Sequence, residues 1–298
     1  MNIKHRFLPL LLTVLFCVIA LSVALPVSAA SETITKTVNI AAANKNESGP
    51  GYTWMNRYDT LTLSGLRVET EEPYGLRLPK DCTVILEGDN YVKSAKYGMS
   101  CSGTVVFKGS GSLTIDAGEI GIYLITQDKT QKIRLIEGDY SVTAGKYGVY
   151  SDAADFSFVG KSMKISAGEK AILGRCVNLL GGTFSANAPV EATQALLVNG
   201  VTVDIDASAP ALASKNLELK NLDITGGDYD GGNSVHAKGL AKFHATSVLL
   251  GSSVPGWVDY ILLAVAILLV GALIFVPALI KKKKTKELYE RLEKEGYR

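Results

Sequence analysis

The sequence predicts an all-β domain wound as a right-handed parallel β-helix, on three observations. A small-residue motif recurs at a nearly constant spacing. Short alternating strands fill each period. Glycine is frequent, at 29 residues, as expected where tight turns separate many strands.

The motif reads small-small-charge-x-small-apolar. It occurs as Ser94-Ala95-Lys96-Tyr97-Gly98-Met99, then from Ala117, from Ala144 and from Ala167. Tyr74-Gly75-Leu76 is the end of an earlier copy. The small residue after the charge falls at 75, 98, 121, 148 and 171, giving spacings of 23, 23, 27 and 23. The longer period holds a polar insertion near Thr126 to Gln131. Fainter copies continue at Gln194-Ala195-Leu196 and Pro210-Ala211-Leu212.

Three strands of about four residues and three turns of about three to four make a period of this size. A β-sandwich also has many short strands, but its strands have no reason to repeat a local motif at fixed spacing. The solenoid is therefore preferred, with rungs of about 23 residues stacked roughly 4.8 Å apart. Residues 59–253 form the repeat domain. Residues 30–58 lack the motif and read as a lead-in that caps the first rung.

Equivalent positions in stacked rungs form ladders. Strict alternation places Tyr97, Met99 and Cys101 inward, together with Ile120, Ile122 and Leu124. It places Gly121, Tyr123, Gly148 and Tyr150 outward. One outward ladder is Lys96, Glu119, Lys146 and Glu169, alternating in sign, a pattern that favours correct register. A second is Arg77, Ser100, Tyr123, Tyr150 and Leu173.

The two ends predict export and anchoring. Lys4 and Arg6 precede an apolar run from Phe7 to Ala24. Small residues at Val27-Ser28-Ala29 follow, so 1–29 reads as a signal peptide. Residues 257–280 hold one charge, Asp259, and at 1.5 Å per residue span roughly 36 Å, enough for one transmembrane helix. Lys281 to Lys284 begin a basic tail, 281–298, which the positive-inside rule places in the cytoplasm. The expectation is a single-pass protein of the cell membrane with its β-rich domain outside.

Charge excludes one class of partner. The tail holds eight basic and four acidic residues, whereas residues 30–256 hold 21 basic and 24 acidic. The external part is slightly acidic, and no nucleic acid is expected to bind it. Outside the leader there are three cysteines, Cys82, Cys101 and Cys176. An odd count allows one pair at most, and the three read as small buried apolar residues.

No catalytic motif stands out. There is no Gly-x-Ser-x-Gly elbow, phosphate loop or Cys-x-x-Cys. His236 and His244 lie where the repeat fades. Asp204 with Asp206, and the turn Gly227 to Gly231, read as solvated acids. No cofactor and no metal is expected.

The glycine-punctuated units Gly121-Ile122-Tyr123 and Gly148-Val149-Tyr150 resemble right-handed β-helix surface proteins of Gram-positive bacteria, of the carbohydrate-binding-domain and pectate-lyase-like type. The resemblance covers residues 59–246. It implies a polysaccharide partner at a cell surface. Lyases of this fold set an arginine or lysine base beside calcium-holding acids on one strand face, and no such set is matched here.

The preferred reading is a membrane-anchored polysaccharide-binding module. A structural surface, or one that binds a cell-envelope protein, is the alternative; a lyase or hydrolase comes third. Tyr123 and Tyr150, in adjacent rungs, are the candidate sugar platform, with Arg77 two rungs before Tyr123 as the candidate carboxylate ligand.

Overall fold

A computed structural model describes residues 32–245, apart from 152, 208, 209, 230, 237 and 238. The expected leader, membrane span and tail lie outside these residues. Among the described residues no helix is long and apolar enough to cross a membrane.

The described chain is a parallel β-solenoid of about seven turns with almost no helix. Each regular turn has three strands, one per face. The first face stacks Tyr74–Arg77, Tyr97–Cys101, Ile120–Leu124 and Tyr147–Ser151 in parallel. The second stacks Cys82–Glu87, Val105–Lys108, Lys132–Leu135 and Asp155–Phe158. The third stacks Asp89–Ser94, Ser112–Ala117, Asp139–Ala144 and Ser162–Ala167. From Lys170–Leu180 onward one long strand runs through both the first and second faces. The turn between those faces then shrinks to a bulge, which shortens the period. Ile172 pairs with Val190 eighteen residues on, and Val190 with Leu212 twenty-two on.

Inward ladders hold the stack together. Val38, Leu76, Met99, Ile122, Val149, Ile172, Val190 and Leu212 succeed one another in register and are all buried. Phe107, Leu135 and Phe158 do the same on the second face, and Val92, Ile115, Val142 and Ile165 on the third. One buried polar side chain bridges rungs. The Asn90 carbonyl accepts from Leu66 N–H at 2.9 Å, and its amide donates to Ser112 C=O at 3.0 Å. Satisfied in this way, it costs little to bury.

Both ends of the described stack carry antiparallel strands. Tyr52–Met55 pairs antiparallel with Thr60–Ser64 and, on its other side, with Glu47–Gly49. Trp54 fills the space beneath, 1% exposed. At the far end Gly239–Ala245 lies antiparallel to both Thr202–Ala207 and Leu222–Thr225. A sheet edge left open invites edge-to-edge association, and covering strands prevent it.

Strict alternation fails at one place in the rung. Gly98 and Met99 are consecutive and both buried, as are Gly121 and Ile122, and Gly148 and Val149. The glycines therefore face inward, against the expectation for Gly121 and Gly148. They have no Cβ, and the third-face residue crowds that space. A Cβ on Gly98 would lie 2.2 Å from Ile115 Cγ2, and one on Gly121 2.2 Å from Val142 Cγ1. The slip turns Tyr97 and Tyr147 toward solvent, and puts Ile120, expected inward, in register with them, though it stays 9% exposed. Tyr97 is thus half-buried on the outer surface, not inside with Met99 and Cys101.

The charge ladder forms in part. Glu119 sits 3.6 Å from both Lys96 and Lys146. Glu169 instead accepts a hydrogen bond from the Tyr147 hydroxyl, which raises the tyrosine pKa. Cys82 and Cys101 are buried free thiols and Cys176 is half-buried. Burial pushes the Cys82 thiol up to about 12 and raises that of Cys101 as well.

Candidate functional site

The outer surface of the first face has two side-chain columns. In the first, Tyr74, Tyr97, Ile120, Tyr147 and Lys170 follow in register. In the second, Arg77, Ser100, Tyr123, Tyr150 and Leu173 do so, as the 23-residue spacing predicts. The columns compensate. Where the second holds the small Ser100, the first holds Tyr97; where the first holds Ile120, the second holds Tyr123.

The result is one unbroken strip of rings along the solenoid. Tyr74 and Tyr97 are 5.0 Å apart between ring centroids, Tyr97 and Tyr123 5.3 Å, and Tyr123 and Tyr150 5.7 Å. Tyr147 joins Tyr150 at 5.2 Å. Arg77 closes one end, its guanidinium 5.1 Å from the Tyr74 ring centre, within cation–π range. All five tyrosines are half-buried, so each keeps part of its surface in solvent. Ser100, between them, is 3% exposed.

The structure thus brings Tyr123 and Tyr150 together on an outer face and adds Tyr74, Tyr97 and Tyr147 to them. Tyr123 and Tyr150 meet at 77°, edge to face, and do not share a plane. Tyr74, Tyr97 and Tyr123 are inclined to one another by 36° and 38°, which leaves a gentler surface. Arg77 is three rungs from Tyr150, roughly 14 Å at the usual rung separation. The missed tyrosines had a signal in the sequence: the Tyr-Gly pair at 74–75, 97–98 and 147–148. Strict alternation hid it by turning Tyr97 inward.

The other acids and histidines stay scattered. Asp204 faces Lys242 across an antiparallel pair, and His236 pairs with Asp228 and contacts Ser234 Oγ through Nε2 at 2.7 Å. Among the described residues no three ligating side chains converge as a metal site would require.

Fold and surface together define a parallel β-solenoid that carries a continuous aromatic strip with Arg77 at one end. The family model for carbohydrate-binding domain-containing proteins matches residues 29–237, and the chain belongs to that family. No curated protein and no solved structure matches it.

Proposed function

We propose that the solenoid binds a polysaccharide along the aromatic strip of its first face, outside the cell, and is held there by one membrane-spanning helix. The continuous run of five tyrosines ending on Arg77 is the observation that carries this reading. Sugars bind proteins by laying C–H faces on aromatic rings, while polar side chains hold the hydroxyls. A strip parallel to the solenoid axis suits an extended chain that spans several rungs. The right-handed winding and the origin in a Gram-positive envelope belong to the same proposal, on the resemblance of the rungs. The family match supports the polysaccharide part of the proposal.

The test uses the full chain in detergent against a panel of polysaccharides. Tyr123→Ala/Tyr150→Ala is expected to lower affinity about tenfold, or ~1.4 kcal/mol, while the protein still melts cooperatively. The ring-to-ring contacts favour one other reading, in which the strip only stiffens the stack, each contact contributing about 0.5–1.5 kcal/mol. In that case binding is unchanged or falls only in step with stability.

The anchoring has its own test. Protease added to intact cells stripped of their wall should degrade the chain up to about Gly256 and spare an epitope on residues 281–298. Loss of the tail epitope with survival of the solenoid would show the opposite orientation.

A further inference from the structure

Two departures from the regular rung fall at one corner, where the first face turns into the second. The first is the insertion between Leu124 and Lys132. The second is a bulge in Val190–Asn199, where Thr193 and Gln194 together stand opposite Arg175 alone in Lys170–Leu180. The same two residues stand opposite Lys215 alone on their other side, in Leu212–Lys220. Bulges re-aim side chains, and they gather beside binding sites.

These irregularities build a pocket open to solvent, lined by Lys129, Ala153, Arg175, Thr193 and Gln194. The insertion reaches along the axis to close one side of it. Arg175 Nη2 donates to Lys129 C=O at 3.0 Å, across 46 residues of sequence. The same nitrogen lies 2.6 Å from Asp155 Oδ1. The loop itself is braced by Asp128, whose carboxylate takes both the N–H and the hydroxyl of Thr130. Arg175 is therefore held in place before any ligand arrives, which lowers the entropy lost on binding.

Among the described residues the lining offers an ammonium, a guanidinium, a hydroxyl and a primary amide, beside the methyl of Ala153. Asp155 pairs with Arg175, and the ammonium of Lys129 is exposed to solvent. Such a set prefers an anion carrying hydroxyls. Ala153 follows Tyr150 by three residues, and Arg175 follows Leu173 by two, so the pocket adjoins the far end of the aromatic strip from Arg77.

We propose that this corner pocket is a second subsite that holds an anionic sugar unit, a carboxylate- or sulfate-bearing residue of the chain lying on the strip. The proposal rests on the saccharide reading above and adds its charge preference. The full chain in detergent is titrated with alginate, with carboxyl-reduced alginate, and with dextran sulfate and dextran as a second pair. About 0.15 M salt screens long-range contacts made by the lysines of residues 281–298.

Lys129→Gln/Gln194→Ala is expected to weaken the charged member of a pair about tenfold and to leave the neutral member unchanged. Its melting temperature should stay at the wild-type value, since both side chains are exposed. Arg175→Lys, which keeps the charge but loses the planar fork, should weaken the same probe. Tyr123→Ala/Tyr150→Ala should weaken charged and neutral probes alike. Whichever charged probe responds identifies the group as carboxylate or sulfate. Equal binding of charged and neutral probes, or pocket variants with unchanged affinity for the charged probe, overturns the subsite and leaves the strip intact. If no probe of either kind binds the wild-type chain, the saccharide reading falls and the subsite falls with it.

Discussion

Ile122→Asp is expected to abolish the cooperative fold of the solenoid. Ile122 is 1% exposed and sits in the middle of the inward ladder, with Met99 below it and Val149 above. A carboxylate there would lose its hydration with no cation to pair with, at a cost of several kcal/mol. Taking up a proton would reduce the penalty, but a buried hydroxyl without an acceptor would remain. Total stabilities run at only about 5–15 kcal/mol, so one such change consumes much of the margin.

The architecture adds to the effect. In a solenoid each rung contacts only its neighbours, so a fault in a central rung leaves two shorter stacks with uncovered ends. Thermal unfolding followed by circular dichroism should show no sharp transition, and limited proteolysis should cut throughout residues 32–245. Ser102→Asp, one turn away at an exposed corner, should stay within about 0.5 kcal/mol of wild type. A cooperative melt of Ile122→Asp near the wild-type temperature would mean that the ladder does not hold the stack.

Register was readable in the sequence because it depends on spacing alone. The small residues at 75, 98, 121, 148 and 171 align their neighbours whatever the inside-outside assignment. Arg77, Ser100, Tyr123, Tyr150 and Leu173 accordingly share a column in the structure. The inside-outside phase was less readable. It changes at each glycine, and that change follows from contact with a strand further along the same rung, such as Gly121 with Val142, not from neighbours in the chain. Tyr97 was misplaced for this reason.

The corner pocket left a partial trace. The 27-residue spacing marks the insertion, but nothing near Lys129 announces that its carbonyl will meet Arg175. The bulge at 193–194, opposite Arg175, likewise has no signature beyond the fading of the repeat. The charge ladder behaved in the same way. Alternating sign predicts Glu119 between two lysines, but nothing in the spacing announces that Tyr147 will take Glu169.

The glycine column leads to the second large effect, Gly121→Ala. A Cβ at Gly121 would lie 2.2 Å from Val142 Cγ1 and 2.6 Å from the Gly148 carbonyl oxygen of the next rung. The valine can rotate, whereas the carbonyl cannot move without disturbing the parallel pairing on the first face. Overpacking of this kind costs about 1–3 kcal/mol. The same crowding recurs at Gly75 against Val92, at Gly98 against Ile115 and at Gly148 against Ile165. In the following rung Ala171 takes the glycine's place, and Ala186, in register with Ile165, takes the place of the β-branched residue.

Volume is thus exchanged between the two faces: glycine opposite valine or isoleucine, alanine opposite alanine. Val142→Ala alone should cost about 2 kcal/mol for the methyl groups it removes from the core. Combined with Gly121→Ala it should cost less than the sum, because the new methyl occupies the space that is vacated. Contacting residues commonly couple by about 0.5–3 kcal/mol, and here the sign should be favourable. The residual clash with the Gly148 oxygen keeps the rescue partial. Urea unfolding of the wild type, both single variants and the double variant measures the coupling directly. Strict additivity would show that the two faces do not exchange volume at this rung, and the inward placement of Gly121 would have to be given up.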